Sequence, residues 1–415
     1  MSLTAHEMTW AWRKEAITVG TDTNNLVLKN VRPWGMAATD ITIRDGRIAA
    51  IGPSNEAGED FSAALALPGL VEAHTHLDKT MLGMPYRPNE AGPTLLDKIE
   101  NERRKKIEWR IEPARQSARQ VVASIARGTT HIRSFVDIDS AVGLSGLSGV
   151  MATREKYKDA CTIEIVAFPQ SGLCVHEAAI PLMEEAMVQG ADVVGGLDPC
   201  GVDRDPKRQL DIVFGLAEHY GKPIDIHLHE TGELGLFTMD LILERTEALS
   251  MQGKVTISHA FCLGYHDIAS VDAALTRIAK NNVHLATTAS PSRPVPPLLK
   301  CVATGINVAC GNDGIRDSWG PYGNGDMLER AMIVGLRNNL RRDEEIEFAL
   351  RACTRGGAAM MGITDYGLEV GRPADLFLVE GATPAEAVVS RPPRKLVLKG
   401  GRVVARDGAA LVAAP

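Results

Sequence analysis

Residues 222–230 read KPIDIHLHE, a short apolar run that ends in His-Leu-His-Glu. Seven other runs rich in β-branched residues recur along the middle of the chain, separated by longer segments that are compatible with helices. They are LALPGLVEAHTH (65–76), TTHIRSFVDID (129–139), CTIEIVAFPQ (161–170), ADVVGGLDP (191–199), KVTISHA (254–260), NVHLATTAS (282–290) and INVACGND (306–313). Strands that alternate with helical segments indicate βαβ units and a parallel sheet.

Eight such units over roughly 250 residues predict an α/β fold, specifically a (β/α)8 or TIM barrel. A doubly wound open sheet is the alternative architecture for alternating strands and helices. That fold would more often carry a Gly-rich phosphate-binding turn after its first strand, and the sequence has none there. The barrel is therefore the favoured architecture.

The two ends of the chain resemble each other. Leu-Val-Leu-Lys occurs at residues 26–29 and again at 396–399, and both copies lie near alternating runs broken by Asp-Gly or Gly-Gly. Alternation bounded by such dipeptides is a hairpin signal. We therefore predict that residues 1–66 and 364–415 form one small antiparallel β domain, and that residues 67–363 form the barrel.

Six of the eight runs end in polar or ionisable residues, although the bodies of the runs are apolar. An ionisable group at the end of a core strand is costly to bury without a partner. In a barrel, however, the carboxyl ends of the strands converge on the active-site mouth. We therefore expect these residues to share one site. They are His74, His76, Gln170, Asp198, His227, His229, Glu230, His259 and Asp313.

The spacing of the histidines favours a metal site. His74 and His76 lie two residues apart on a strand, so both imidazoles point to the same face. His227 and His229 repeat this spacing, and such pairs suit one tetrahedral or five-coordinate metal. Asp313 would add a carboxylate that can bind the metal and accept a proton from water. His259 would be either a further ligand or a base beside the metal.

Composition excludes several classes of partner. The 415 residues carry a formal net charge of −7, whereas nucleic acids and anionic membranes attract proteins with a positive field. No apolar run approaches the ~20 residues that cross a bilayer, and the N-terminal residues lack the apolar core of a secretory signal. Seven cysteines without a C-x-x-C pair indicate neither a disulfide framework nor a structural zinc site. We therefore predict a cytoplasmic protein.

One charged segment could be mistaken for a nucleic-acid patch. The basic residues 103–106 alternate with Glu100, Glu102 and Glu108. Mixed charges at this spacing predict a solvated helix face.

Taken in chain order, the motifs resemble those of the amidohydrolase superfamily: H-x-H on the first strand, His on the fifth and sixth, and Asp on the eighth. The similarity covers nearly the whole chain, from PGLVEAHTHLDK (68–79) to GLEVGRPADLFLVE (367–380). It implies a (β/α)8 barrel joined to a small β-sandwich built from both termini. The implied metal ligands are His74, His76, His227 and Asp313. No lysine ends the fourth run to bridge two metals, so we expect one divalent ion, zinc or iron.

Within the superfamily, the sequence is similar to the cytosine deaminases and to the N-isopropylammelide isopropylaminohydrolase type of s-triazine enzyme. The first resemblance implies that Gln170 holds a ring carbonyl, that Trp319 lines the pocket and that Glu230 shuttles a proton. It also implies catalytic roles for His259 and Asp313. The second resemblance adds four pocket residues, namely Lys79, Asp198, His229 and Asp317.

The pocket combines features of both enzyme types. Gly314 follows Asp313, whereas cytosine deaminases carry a second acidic residue at that position. Glu230 matches the deaminases, and His229 follows the triazine pattern.

The implied function is metal-dependent hydrolysis of a C–N bond, other than a peptide bond, in a small amino-substituted N-heterocycle. The substrate would be cytosine or a related pyrimidine, and ammonia would be released. The alternative is an N-alkylamino-s-triazine aminohydrolase that releases an alkylamine. A non-catalytic binding barrel is disfavoured because the full ligand set and Glu230 are present. We expect a small-molecule substrate, a homo-oligomer, and neither nucleic acid nor membrane as a partner.

Overall fold

A computed structural model describes residues 25–264 and 268–415 and contains two eight-stranded sheets. Residues 1–24 of the predicted small domain lie outside the described residues. The strands are β1 (Leu26–Pro33), β2 (Thr39–Arg44), β3 (Arg47–Ile51), β4 (Glu59–Pro68), β5 (Leu70–Thr75), β6 (Thr129–Asp137), β7 (Thr162–Phe168), β8 (Val193–Leu197), β9 (Ile224–His227), β10 (Val255–Ser258), β11 (His284–Thr287), β12 (Val308–Cys310), β13 (Leu376–Val379), β14 (Arg394–Lys399), β15 (Arg402–Arg406) and β16 (Ala409–Ala410).

The helices lie mainly between the strands of the second sheet. In chain order they are α1 (Leu95–Glu108), α2 (Pro113–Ala126), α3 (Ser145–Lys156), α4 (Ala179–Gln189), α5 (Pro206–Tyr220), α6 (Gly232–Ala248), α7 (Ile268–Lys280), α8 (Leu298–Ala303), α9 (Met327–Arg337), α10 (Asp343–Ala352), α11 (Arg355–Met360) and α12 (Pro384–Ser390). A 3₁₀ turn at Phe261–Gly264 follows β10.

The first sheet is assembled from both ends of the chain, in the strand order β16-β15-β14-β13-β4-β1-β2-β3. Its strands pair antiparallel except for β1 and β4, which run parallel. The expectation of a purely antiparallel domain is therefore wrong in this detail. The reason lies in the path of the chain. Strand β3 runs in the same direction as β1, and the chain then crosses to the other edge of β1, where β4 again runs in that direction.

The second sheet is the predicted barrel. Strands β5 to β12 pair in chain order and every pair is parallel. The ends of the sheet meet through a parallel bridge between Thr75 and Asp313. The N–H of Asp313 donates to the carbonyl of His74 at 2.8 Å, and the Thr75 hydroxyl donates to the carbonyl of Asp313 at 2.9 Å. The α/β barrel with a separate sheet from both termini is confirmed.

Helix α5 illustrates how the sequence builds the outer layer. The Asp205 side chain caps the N-terminus by accepting from the N–H of Arg208, and Gly221 ends the helix in the left-handed region with a φ of 64°. Between these caps, buried apolar residues recur at helical spacing and pack toward β8. They are Leu210, Val213, Phe214 and Ala217.

Within the described ranges, no helix combines the length and the apolar character required to cross a lipid bilayer.

We predict that Gly311→Ala destabilises the barrel. A Cβ at this position would lie 2.3 Å from the carbonyl oxygen of His74, so the closing strands would have to separate. The expected loss is about 2 kcal/mol in the free energy of unfolding, measured by chemical denaturation. Gly215→Ala in α5 is the matched control, because a Cβ there meets nothing within 4 Å. Equal stability of the two variants would contradict the prediction.

Candidate active site

Four of the predicted residues form a compact cluster at the carboxyl ends of the strands. His74 and His76 come from the end of β5, His227 from the end of β9, and Asp313 from the segment after β12. Each offers one ligand atom, and these atoms all lie within 4.8 Å of one another. The Nε2 atoms of His74 and His76 lie 3.7 Å and 3.2 Å from Oδ1 of Asp313. Residues separated by some 240 positions in sequence therefore converge on one point.

The polar atoms of this cluster fit a metal ion. Nε2 of His74, both ring nitrogens of His227 and Nε2 of His259 are buried without a hydrogen-bond partner among the described residues. Buried polar atoms are normally paired, because leaving them unpaired costs free energy. A cation at this point would pair several of them at once. Three imidazoles and a carboxylate are also the donor set of common divalent transition-metal sites.

Protonation in the cluster also suits metal binding. Burial lowers the pKa of His76 to about 3 and holds the pKa values of His227 and His259 well below the ordinary value for histidine. These rings are therefore neutral at physiological pH, as ligands must be. Burial opposes ionisation of Asp313, but the adjacent imidazoles of His74 and His76 hold its pKa well below the usual range. Its side chain is 39% exposed, so it faces the open side of the cluster.

His259 adjoins the cluster at the end of β10. Its ring centroid lies 4.8 Å from those of both His74 and His227, and 4.3 Å from that of His229. His259, Asp313 and Asp198 all have positive φ, at 66°, 63° and 36°. Such a conformation costs of order 1–3 kcal/mol for a residue other than glycine. Its occurrence at three residues of one site shows that the surrounding fold imposes their orientation.

His229 and Asp198 form a hydrogen-bonded pair beside His259. Oδ2 of Asp198 lies 2.6 Å from Nδ1 of His229, and Oδ1 accepts from the backbone N–H of the same histidine at 2.6 Å. Burial opposes protonation of His229, but the charge and hydrogen bond of Asp198 raise its pKa above the ordinary value. The His229 side chain is 22% exposed. The pair therefore presents a proton-carrying imidazole to the cleft.

Glu230 makes a different set of contacts. Its Oε1 accepts from the backbone N–H groups of Cys200 and Gly201, both at 2.8 Å, and the Thr238 hydroxyl donates to its Oε2. These hydrogen bonds join the loop after β8 to α6, and burial raises the pKa of the carboxyl. Both oxygens thus have partners away from the histidine cluster. The observed contacts favour an anchoring role for Glu230.

Lys79 and Gln170 form a second buried group of contacts, with Asp137 and Glu102. Nζ of Lys79 donates to Oε1 of Gln170 at 2.8 Å and to Oδ1 of Asp137 at 3.2 Å, and it lies 3.0 Å from Oε2 of Glu102. Burial opposes the charge, but Asp137 and Glu102 raise the pKa of Lys79 above its usual value. Because lysine only donates, Oε1 of Gln170 is occupied and its amide N–H₂ remains for another partner.

Helix α1 contradicts the prediction of a solvated charged face in part, since Glu100, Arg104 and Glu108 are exposed but three other charged residues are buried. Glu102, Lys105 and Lys106 are at most 8% exposed. Lys106 pairs with Glu102 at 2.9 Å and donates to Asp137 at the end of β6. Glu102 and Lys106 lie four residues apart on one helix face, but the charge pattern alone does not reveal that this face packs on a site that supplies counter-charges.

Sequence reasoning missed Glu102, Lys106 and Asp137 as residues of the site. Asp137 carried a signal, since the run 129–139 ends in Asp137 and Asp139 and is thus a further run with ionisable residues at its end, besides the six counted above. The two residues of α1 carried none, because only the folded chain brings this helix to the strand ends.

Asp317 and Trp319 lie on the loop after β12. Oδ1 of Asp317 accepts from the N–H groups of Trp319 and Gly320 at 2.8 and 3.0 Å, and the indole N–H of Trp319 donates to Glu102. A Cβ at residue 314 would lie 1.9 Å from Oδ2 of Asp317. This contact explains why residue 314 is a glycine and not the acidic residue of the cytosine deaminases. The Asp317 carboxyl occupies the space that a side chain at 314 would need.

We predict that Asp317 makes stability pH-dependent. Burial raises its pKa from 3.8 to about 7. Between pH 3.8 and about 7, the folded state therefore holds a proton that the unfolded state has lost. The free energy of unfolding of the wild type falls as pH rises through this range and becomes independent of this group above it. Asp317→Asn should remove this contribution, which is at most about 1.4 kcal/mol per pH unit. Denaturant unfolding of both proteins at pH 5, 6, 7 and 8 measures the difference; a constant difference would contradict the prediction.

Comparison with known proteins identifies the family. Residues 60–405 match the model of the Amidohydrolase family. The chain is 31% identical over 359 residues to N-isopropylammelide isopropyl amidohydrolase of Pseudomonas sp. (strain ADP), covering 84% of this chain and 88% of the relative.

Two crystal structures agree with this assignment. N-isopropylammelide isopropylaminohydrolase from Burkholderia multivorans ATCC 17616 is 48% identical with a TM-score of 0.91, covering 94% of this chain and all of that one. 5-Methylcytosine deaminase from Klebsiella pneumoniae liganded with 5-fluorocytosine is 25% identical with a TM-score of 0.82, covering 92% and 97%. The chain therefore belongs to the amidohydrolase family and is a hydrolase of carbon–nitrogen bonds.

Proposed function

We propose that this protein hydrolyses the exocyclic C–N bond of an N-alkylamino-s-triazine and releases an alkylamine. The main observation behind this proposal is the His229–Asp198 pair, whose imidazole lies against His259. Glu230, by contrast, bonds to backbone amides and to Thr238. His229 is the feature that follows the triazine pattern. The 48% identity to a protein named for N-isopropylammelide supports the same assignment.

In the proposed mechanism, His74, His76, His227 and Asp313 hold one divalent metal, zinc or iron. When bound, such an ion lowers the pKa of a water molecule at the site. The exposed carboxylate of Asp313 and Nε2 of His259 accept the proton of the attacking water. His259 is suited to this because its ring is neutral and its Nε2 has no other partner among the described residues.

His229 then donates its one proton to the leaving amine, and the proton taken from the attacking water returns to His229 and restores it. Its Nδ1 is held by Asp198, which leaves Nε2 as the donor on the exposed side of the ring. An amine leaves readily only when it is protonated, so a positioned imidazolium accelerates this step. The raised pKa of His229 keeps the proton available near neutral pH.

The remaining predicted residues orient the heterocycle. The free amide N–H₂ of Gln170 would donate to a ring carbonyl, and Lys79 holds that amide in orientation. The indole of Trp319 would stack on the ring, with Nζ of Lys79 and of Lys98 each 5.8 Å from its centroid. The carboxyl of Asp317 would meet the ring edge in place of a side chain at 314.

A second candidate function is deamination of cytosine or a related pyrimidine with release of ammonia. It is favoured by Glu230, three residues after His227 as in the deaminases, and by the similarity to 5-methylcytosine deaminase. In this case Glu230 would shuttle the proton.

We further propose that the protein is a homo-oligomer and lies in the cytoplasm. Light scattering measures the oligomeric state, and cell fractionation measures the location.

The product assay separates the two functions. Metal-replete protein is incubated with N-isopropylammelide and, separately, with cytosine and 5-methylcytosine. We expect isopropylamine from the first substrate, because the His229 pattern and the 48% identical relative both indicate an alkylamine leaving group. Chromatography of the amine and an ammonia assay measure both products. A chelator-treated sample is the control. Ammonia from the pyrimidines without isopropylamine would overturn the first assignment in favour of the second.

A matched pair of variants identifies the proton carrier. We expect His229→Gln to lower kcat by about 10²–10⁴-fold, the usual effect of losing an acid–base group. Glu230→Gln should cost much less, because its amide oxygen can still accept from Cys200 and Gly201 while the Thr238 hydroxyl reverses its role. Steady-state kinetics are compared at equal metal content, determined by elemental analysis. The opposite ranking would assign the proton transfer to Glu230.

A further inference from the structure

A chain of buried polar groups runs from the histidine cluster into the barrel interior. Nδ1 of His74 lies 3.0 Å from the hydroxyl of Ser258, which donates to Oδ1 of Asp225 at 2.6 Å. Nη1 of Arg133 donates to Oδ2 of the same carboxylate at 2.9 Å. The four residues come from β5, β10, β9 and β6, and none is more than 1% exposed. The chain therefore links four of the eight barrel strands to one imidazole.

The chemistry of these groups gives the chain a direction. A guanidinium has only donors, so Asp225 accepts from Arg133. The single proton of the Ser258 hydroxyl points to the other oxygen of Asp225, which leaves only lone pairs toward His74. Nδ1 of His74 must therefore carry its proton and donate to Ser258. In this tautomer the lone pair lies on Nε2, the buried atom that faces Asp313 at 3.7 Å.

We propose that Ser258, Asp225 and Arg133 are positioning residues that fix the Nδ1–H tautomer of His74 and so prepare its Nε2 to bind the metal. This inference rests on the metal centre of the proposed function. Groups that hydrogen-bond a metal-binding histidine typically contribute 10–100-fold to metal affinity.

The cost of burying these groups points to a role beyond packing. Arg133 is among the largest fully buried side chains, and it also bonds to Glu164, Thr256 and the carbonyl of Met360. A buried ion pair contributes little net stability compared with apolar residues of similar size. Within the described residues, Nδ1 of His76 and both nitrogens of His227 lack such a partner. The hydrogen-bond chain thus orients one of the three candidate histidine ligands, His74.

Two variants break the chain in different ways. Ser258→Ala removes the acceptor of the His74 proton. Asp225→Asn reverses the chain, because Arg133 requires the amide oxygen, so the amide nitrogen donates to Ser258 and the hydroxyl then donates to Nδ1 of His74. The matched control is Thr256→Val, which removes another buried hydroxyl of β10 that bonds to Arg133 at 3.4 Å but leaves the partner of His74 intact.

The experiment measures Zn²⁺ dissociation constants by chelator competition, the visible spectrum of the Co²⁺-loaded proteins, and the unfolding of the metal-free proteins. We expect Ser258→Ala and Asp225→Asn to bind Zn²⁺ 10–100-fold more weakly and to shift the Co²⁺ bands. Thr256→Val should match wild type in both. Ser258→Thr keeps a hydroxyl at this position. A Zn²⁺ affinity of this variant closer to wild type than to Ser258→Ala would support the same conclusion.

Three outcomes would overturn the inference, and each is distinguishable. Wild-type Zn²⁺ affinity in both Ser258→Ala and Asp225→Asn would show that the hydrogen-bond chain does not prepare His74 to bind the metal, while leaving the metal centre intact. Affinity losses in all three variants that follow their unfolding stability would assign the chain a structural role only. Failure of the wild-type protein itself to bind Zn²⁺ or Co²⁺ would overturn the metal centre of the proposed function and this inference with it.

Discussion

The hydrogen bond from the N–H of Asp313 to the carbonyl of His74 joins the last strand of the barrel to the first. The same two residues contribute a carboxylate and an imidazole to the candidate metal centre. Closure of the fold and assembly of the site are therefore one event, and Gly311 is required because any side chain there would separate the strands. A barrel that failed to close would also lack its ligand cluster.

The site is built by burying charges in pairs. Asp198 holds His229, and Lys79 and Lys106 are matched by Glu102 and Asp137. Burying an unpaired charge is far more costly than burying a compensated one, so these pairs hold each other in position. The interior chain through Arg133 extends the same arrangement below the ligands. Such a site has little freedom to rearrange, which suits the orientation of a small, flat heterocycle.

In the proposed function, the loop after β12 and helix α1 would set the choice of substrate. Asp317 occupies the space above Gly314, and Trp319 is held by Glu102 of α1. An acidic group is thus supplied from three residues further along the chain than in the cytosine deaminases.

The sequence by itself determined the barrel and the candidate ligands. Period-2 spacing directs His74 and His76 to the same face, and every barrel strand delivers its carboxyl end to the same mouth, so position along a strand predicts position in the site. The roles of the predicted residues stay predictions, while their convergence follows from this regularity.

Only the tertiary structure decided what surrounds the candidate ligands. Glu102 and Lys106 are buried because α1 packs on counter-charges from other strands. Glu230 bonds to the loop after β8, although the resemblance to the cytosine deaminases implied a proton shuttle. These outcomes depend on contacts between residues far apart in sequence. Local periodicity carries no information about such contacts, because the free energy of a charged side chain is set by the partners that the fold brings to it.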